Sequence, residues 1–360
     1  MINNKLKYFF ILIVFFFCFK KYEKKYTNNL YENKIKNIGI IGYTNDNNVG
    51  NQLVKYSMYV LLKKLGYNST LISIIRKTKN IKFLKKYLHL TEINNFTDIK
   101  KSDYDIIIVD SDEVWAYNFR YLLQIGFLSF AKNWNINKIV YAASIGFSHW
   151  TNSSKIINSA KSLINQFSAV SVREKQSIDI IYKYLGIKPQ LVLDPTFLIE
   201  KEDYLELVKN FKLKFDNNKN YLCSYILDKS KIKNDYVRKV SKILNYSVID
   251  IKVEKEDFIE EFLYSINICK SVITDSYHGT VFSLIFNKPF ITFINKIRGG
   301  IRFLSLGEMF QIKNRFINPK KFEISDLSNF TDYPNINITN FNNLRKNSLN
   351  FLKRNLLITK

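Results

Sequence analysis

Cysteine is scarce in this chain: three residues in 360, at Cys18, Cys223 and Cys269. They are far apart and odd in number. They form no C-x-x-C pair, which excludes the usual structural zinc spacings and argues for a reducing compartment rather than a disulfide framework. Long hydrophobic runs are missing as well. The N-terminal run, Tyr8 to Phe19, holds twelve apolar residues between Lys5/Lys7 and Lys20/Lys21, whereas a spanning helix needs roughly 20. No small-residue cleavage site follows it, and Cys18 is preceded by phenylalanines where a lipoprotein site needs small residues. An interfacial anchor, a short signal anchor and an over-extended start all fit this segment, so residues 1–33 are set aside as an N-terminal extension. No G-x-G-x-x-G fingerprint occurs, so dinucleotide binding has no support. Without a stacking-aromatic ribonucleoprotein motif, nucleic acid is not an expected partner. No repeat of solenoid length is present.

What the chain does have is positive charge, a formal +24 with an apolar fraction of 46%. Lys, Asn and Ile are abundant throughout, so compositional bias is one account of the charge. Attraction to phosphates, acidic polysaccharide or a membrane surface is the other.

The apolar pattern alternates between short β-branched strands and helical periodicity. NIGIIGY (37–43), LISII (71–75), DIIIV (105–109) and the run 138–143 read as strands of a parallel sheet covered on both faces. Helices are expected over 53–65, 153–167 and 176–185, with Gly66 and Gly186 closing the first and last. A charged, weakly patterned stretch, 197–220, separates a second alternation. There, strands at 221–226, 247–251, 272–274 and 290–294 enclose helices at 235–244, 258–265 and 280–286. The expected fold is α/β, two Rossmann-like domains facing across a cleft. Their bounds are 34–200 and 218–333, with a loop and basic helix at 334–360.

The most telling stretch is Ser271 to Phe293, SVITDSYHGTVFSLIFNKPFITF. A buried strand leads into a polar turn with one histidine, then an apolar helix, Lys-Pro and a second strand. Ligands of open α/β sheets bind beyond the carboxyl ends of strands, so His278 stands where chemistry is expected, at a helix N-terminus that favours anions.

Five further stretches, in order, carry a resemblance. They are Asn48-Val49-Gly50-Asn51-Gln52-Leu53; Asp110-Ser111-Asp112-Glu113-Val114-Trp115; Tyr141 to Gly146; Ser171-Val172-Arg173-Glu174; and Val192-Leu193-Asp194-Pro195-Thr196. With Asp275-Ser276-Tyr277-His278-Gly279-Thr280, they resemble the polysaccharide pyruvyl transferase family over roughly 38–316. The resemblance implies a fold like that of B-type glycosyltransferases. It implies transfer of the enolpyruvyl group of phosphoenolpyruvate to two sugar hydroxyls as a cyclic ketal, without metal or cofactor. A sugar or lipid-linked acceptor, a cytoplasmic location and peripheral contact with the inner membrane face belong to the same expectation. Two departures stand out: Asp110 and Glu113 occupy positions that are usually glycine and glutamine, and Ser276 stands where some relatives place an arginine, so donor binding leans on other cations. Extra negative charge disfavours a trianionic donor, so the motif with Asp110 and Glu113 is expected to face the acceptor, unless the donor site has decayed into a non-catalytic sugar binder.

On this resemblance His278 is the candidate acid for the enol carbon, with Asp275 as its partner, and Asp112 is a candidate base. Arg173, Arg298, Arg302, Ser276 and Gly279 are expected to bind phosphoenolpyruvate, the arginines and the Gly299-Gly300 turn supplying charge and close backbone approach. Asn51, Gln52 and Trp115 are expected to meet the acceptor sugar, although helix capping and core packing explain them nearly as well. Asp194-Pro195 reads as a structural strand end, His89 as solvated and His149 as a possible cleft residue. A nucleotide-sugar glycosyltransferase on the same architecture is the rival reading.

Overall fold

The structure, a computed structural model, describes residues 36–44, 48–74, 81–116, 121–211, 216, 218–253, 257–321 and 323–358. The N-terminal apolar run lies outside them.

Seven parallel strands make the first sheet, in the order β3-β2-β1-β4-β5-β6-β7. They are β1 (Asn37–Ile41), β2 (Asn68–Ile74), β3 (Leu90–Ile93), β4 (Ile106–Val109), β5 (Asn137–Ala143), β6 (Ala169–Val172) and β7 (Gln190–Leu191). The connecting helices are α1 (Val49–Lys64), α2 (Lys82–Tyr87), α3 (Ser154–Ile164) and α4 (Lys175–Leu185). The central strands are apolar throughout because both faces are covered: every residue of β4 and β5 is buried. Each fully buried isoleucine or valine contributes about 1.5–3 kcal/mol of transfer free energy, which fixes β1 between β2 and β4 in the register Ile38↔Ser69 and Ile38↔Ile106.

After α5 (Lys201–Val208) comes the second sheet, four parallel strands in the order β11-β10-β8-β9. These are β8 (Tyr221–Tyr225), β9 (Ser247–Asp250), β10 (Ser271–Thr274) and β11 (Phe290–Thr292). Their helices are α6 (Lys231–Leu244), α7 (Phe258–Ile268), α8 (Tyr277–Ile285) and α9 (Gly300–Phe310). Residues 37–360 form one compact unit, with core side chains such as Val49, Tyr204 and Phe282 from both halves in a single cluster. The last helix, α10 (Ile338–Leu356), returns to the first sheet: Leu193 N–H donates to Ser348 Oγ at 2.8 Å, and Asn137 Nδ2 donates to Asn355 O at 2.7 Å.

The expected α/β class and the two parallel sheets are found. Gly66 and Gly186 adopt the left-handed conformation expected past a helix end, with φ of 84° and 76°. Three elements differ from the sequence reading. β3 joins the first sheet although its pattern is too polar to suggest a strand. The Gly299-Gly300 pair is not a free turn: Gly299 caps α9 and Gly300 is its first residue. Cys223 and Cys269 are joined by a disulfide across 46 residues, which corrects the expectation of unpaired cysteines. Separation along the chain hid their proximity, because β8 and the end of α7 pack together.

Candidate active site

The carboxyl ends of both sheets meet at one cluster of charged side chains. Its centre is Arg173, which follows β6 and is almost fully buried. Its Nη1 donates to Asp194 Oδ2 at 2.5 Å, its Nη2 to Asp112 Oδ1 at 3.1 Å and its Nε to Glu174 Oε1 at 3.2 Å. One guanidinium thus serves three carboxylates from three loops of the first sheet. Burial alone would push the carboxyls of Asp112 and Asp194 up. The nearby Arg173 and His278, joined at Asp112 by Arg302 and Asn51, outweigh burial and hold both well below the usual range. At Glu174 burial wins over Arg173 and the carboxyl is pushed up.

Asp112 follows β4 with φ of 92°, a backbone state that costs a non-glycine residue about 1–3 kcal/mol. Its surroundings enforce that geometry. Asn51 Nδ2 donates to Oδ2 at 2.7 Å, and the Val114 and Ser144 amides both donate to the Asp112 carbonyl. Arg302 Nη1 stands 3.9 Å from Oδ1.

From the second sheet come His278, Tyr277 and Arg302. Ser276 caps α8 by accepting from the Gly279 amide at 3.2 Å, which starts the helix and turns His278 toward the first sheet. The imidazole is buried against Gly50: a methyl group at Gly50 would lie 1.8 Å from His278 Nδ1. Nε2 is 3.6 Å from Asp194 Oδ2 and has no hydrogen-bond partner. A buried ring nitrogen without a partner is uncommon in a merely structural histidine. Both guanidinium groups pack on the Tyr277 ring, with Arg173 Cζ at 4.8 Å and Arg302 Cζ at 5.2 Å from its centroid. Burial holds the phenol protonated, its pKa pushed well above the ordinary tyrosine value.

Each acidic departure meets a cation. Asp110 lies 3.8 Å from Lys55 Nζ, both side chains fully buried. Burial, opposed by Lys55, raises the Asp110 carboxyl to about 7, and it lowers the Lys55 ammonium. Glu113 Oε1 lies 3.5 Å from Arg302 Nη2. The stretch expected to face the acceptor therefore touches the arginines expected to bind the donor.

The other expected residues are placed as follows. Arg298 pairs with Asp228 through Nε and Nη2, at 2.8 and 2.9 Å, and its side chain does not join the cluster; only its carbonyl meets Arg302. Asp275 does not face His278. It accepts from the Leu227 and Asp228 amides and from Lys233 Nζ at 2.6 Å, so Asp194 takes the place beside the imidazole. Gly279 is a packing glycine, since a Cβ there would lie 2.2 Å from Thr274 Oγ1. Gln52 is fully buried on α1, which Asn48 caps. Trp115 is core, stacked on Phe127 at 5.3 Å with its Nε1 donating to the Gly126 carbonyl. His89 and His149 are exposed. Sequence reasoning missed Asp194 and Tyr277; the place of Asp194 just past β7, beside the strand that delivers Arg173, was the available signal. Among the described residues no cluster of histidine, cysteine and carboxylates suits a metal ion, and no helix is long and apolar enough to cross a membrane.

The profile of the polysaccharide pyruvyl transferase family matches residues 48–296, which contain all of this cluster except Arg302. The chain belongs to that family. No curated protein matches it in sequence. In fold it is similar to the UDP-GlcNAc 2-epimerase of Neisseria meningitidis bound to UDP-GlcNAc, at 11% identity and a TM-score of 0.55, over 89% of this chain and all of that one. A protein assigned as a UDP-N-acetylglucosamine 2-epimerase from Listeria monocytogenes overlays with a TM-score of 0.50 at 11% identity, over 91% and 98% of the two chains. Spinosyn forosaminyltransferase also matches, with a TM-score of 0.44 at 10% identity, over 88% and 95%. At such identity the two epimerase likenesses describe architecture only.

Proposed function

We propose that this protein transfers the pyruvyl group of phosphoenolpyruvate to a sugar of a cell-surface polysaccharide or its precursor, as a ketal, with release of phosphate. One observation carries the reading: His278, its Nε2 3.6 Å from Asp194 Oδ2, is next in the chain to Tyr277, on whose ring two guanidinium groups stack. Protonated His278 delivers its proton to the methylene carbon of the donor, leaving an oxocarbenium-like centre. One sugar hydroxyl adds there and its proton returns to the site. The C–O bond to phosphate breaks, and the second hydroxyl closes the ketal as its proton leaves with phosphate. Asp194 pairs with the imidazole in its charged form. Arg302 supplies the cation for the donor, while Arg173, already shared by three carboxylates, holds those carboxylates in place beside it. Asp112, held ionised by its ion pairs, is a weak proton acceptor, and in this account it orients the two arginines. On this reading the protein acts in the cytoplasm, at the inner membrane face when the acceptor is lipid-linked; the ground is its donor and not its cysteines, two of which are paired.

The test is a melting-temperature titration of the full chain with phosphoenolpyruvate, UDP-N-acetylglucosamine and inorganic phosphate. A ligand selective for the folded state raises the melting point by mass action. Phosphoenolpyruvate is expected to stabilise most, with the shift lost in Arg302→Ala. Stabilisation by the nucleotide sugar alone would replace this reading with a glycosyltransferase.

A further inference from the structure

Glu113 occupies a slot built by two glycines. A Cβ on Gly146, in the loop after β5, would lie 2.2 Å from Glu113 Oε1, and one on Gly299 would lie 2.6 Å away. Both glycines have left-handed backbones, φ 74° and 77°, so each meets the carboxylate where no other residue fits comfortably. Gly299 is the N-cap of α9, an eleven-residue helix that no side chain caps. Arg302, in the first turn, points Nη2 at the same oxygen from 3.5 Å. The setting favours an anion twice over, through a helix N-terminus and a guanidinium. Yet Oε1 is buried and accepts no hydrogen bond. A carboxylate that fitted its slot would be satisfied, so its tether, and not the fit, holds this one there.

We propose that the slot formed by Gly146, Gly299 and Arg302 is the subsite for the carboxylate of a small anionic donor, and that Glu113 is a tethered occupant which the donor displaces. This rests on the donor reading above for the name of the ligand, but not for the slot. Displacement explains how a trianion enters a site whose arginines are already paired: the donor takes over an ion pair and no new cation is needed. Glu113 is one-third exposed, which leaves its side chain a route into the cleft. A slot that is free about a tenth of the time lowers apparent affinity about tenfold.

The experiment is calorimetric titration of the full-length wild type, Glu113→Gln, Glu113→Ala and Gly299→Ala with phosphoenolpyruvate, pyruvate and inorganic phosphate. Both Glu113 variants are expected to bind the two carboxylates about three- to tenfold more tightly, with phosphate unchanged. Gly299→Ala should weaken carboxylate binding, and its melting curve reports whether it folds. Tighter binding of pyruvate without any binding of phosphoenolpyruvate would uphold the slot and remove the donor reading. Unchanged or weaker carboxylate binding in both Glu113 variants overturns the inference. Tightening of phosphate alone also overturns it, because the slot would then take a phosphoryl group.

Discussion

Replacing His278 by alanine is expected to lower the rate of phosphate release from phosphoenolpyruvate by about 10²–10⁴, the range that general acid catalysis supplies. The melting temperature should change little by comparison. Nε2 makes a 3.6 Å ion-pair contact with Asp194, which without it keeps Arg173 and the Thr196 amide and hydroxyl as donors. A catalytic role and a packing role therefore separate cleanly when rate and stability are measured on the same preparation. Gly50→Ala approaches the same group from the opposite wall, because a Cβ there overlaps the imidazole, and it should lose activity with His278 still present. Near-wild-type turnover of His278→Ala would remove the histidine from the mechanism.

The second large effect is on stability. Arg173→Met is expected to destabilise the fold by about 3–5 kcal/mol, since removing one partner of a buried ion pair leaves uncompensated charge. Asp112, Glu174 and Asp194 all lose their shared cation at once. Arg173→Lys should recover little, because an ammonium lacks the planar fork that reaches three carboxylates. The deficit has a pH signature. The Asp112 and Asp194 carboxyls are held below their ordinary value of 3.8 in the folded protein. The stability they contribute is therefore present above that value and lost as pH falls through the depressed one. The gap between wild type and Arg173→Met should be full at neutral pH and narrow in acid. A pH-independent gap in chemical denaturation would mean that Arg173 matters through packing alone.

Much of the architecture was legible because strand and helix signals are local. DIIIV reads as a covered strand and supplies β4, and Gly66 and Gly186 mark helix ends by backbone chemistry. The cluster was legible in part. His278, Arg173, Asp112 and Arg302 were singled out and do come together. The rest failed where spacing along the chain stands in for direction in space. Arg298 and Arg302 differ by four residues across a helix start, so one side chain turns outward to Asp228 and the other into the cleft. Asp275 lies three residues from His278 but points back to the β8 loop, where two amides and Lys233 hold it. Asp194 is eighty-four residues away, yet it is the nearer carboxylate; only the strand order brings β7 round to face α8. Trp115 read equally well as platform or core, and its full burial, with its ring stacked on Phe127, decides for core.

The most direct test of the central claim follows phosphorus and carbon together by nuclear magnetic resonance. The full chain would be incubated with phosphoenolpyruvate labelled at its second carbon and with hexose and N-acetylhexosamine acceptors, free and polyprenyl-diphosphate-linked. The expected result is release of inorganic phosphate that depends on one acceptor, matched by conversion of the labelled enol carbon into a methyl-bearing ketal carbon on the sugar, and absent in His278→Ala. Intact phosphoenolpyruvate with every acceptor, alongside release of nucleoside diphosphate from a UDP-sugar, would contradict the account.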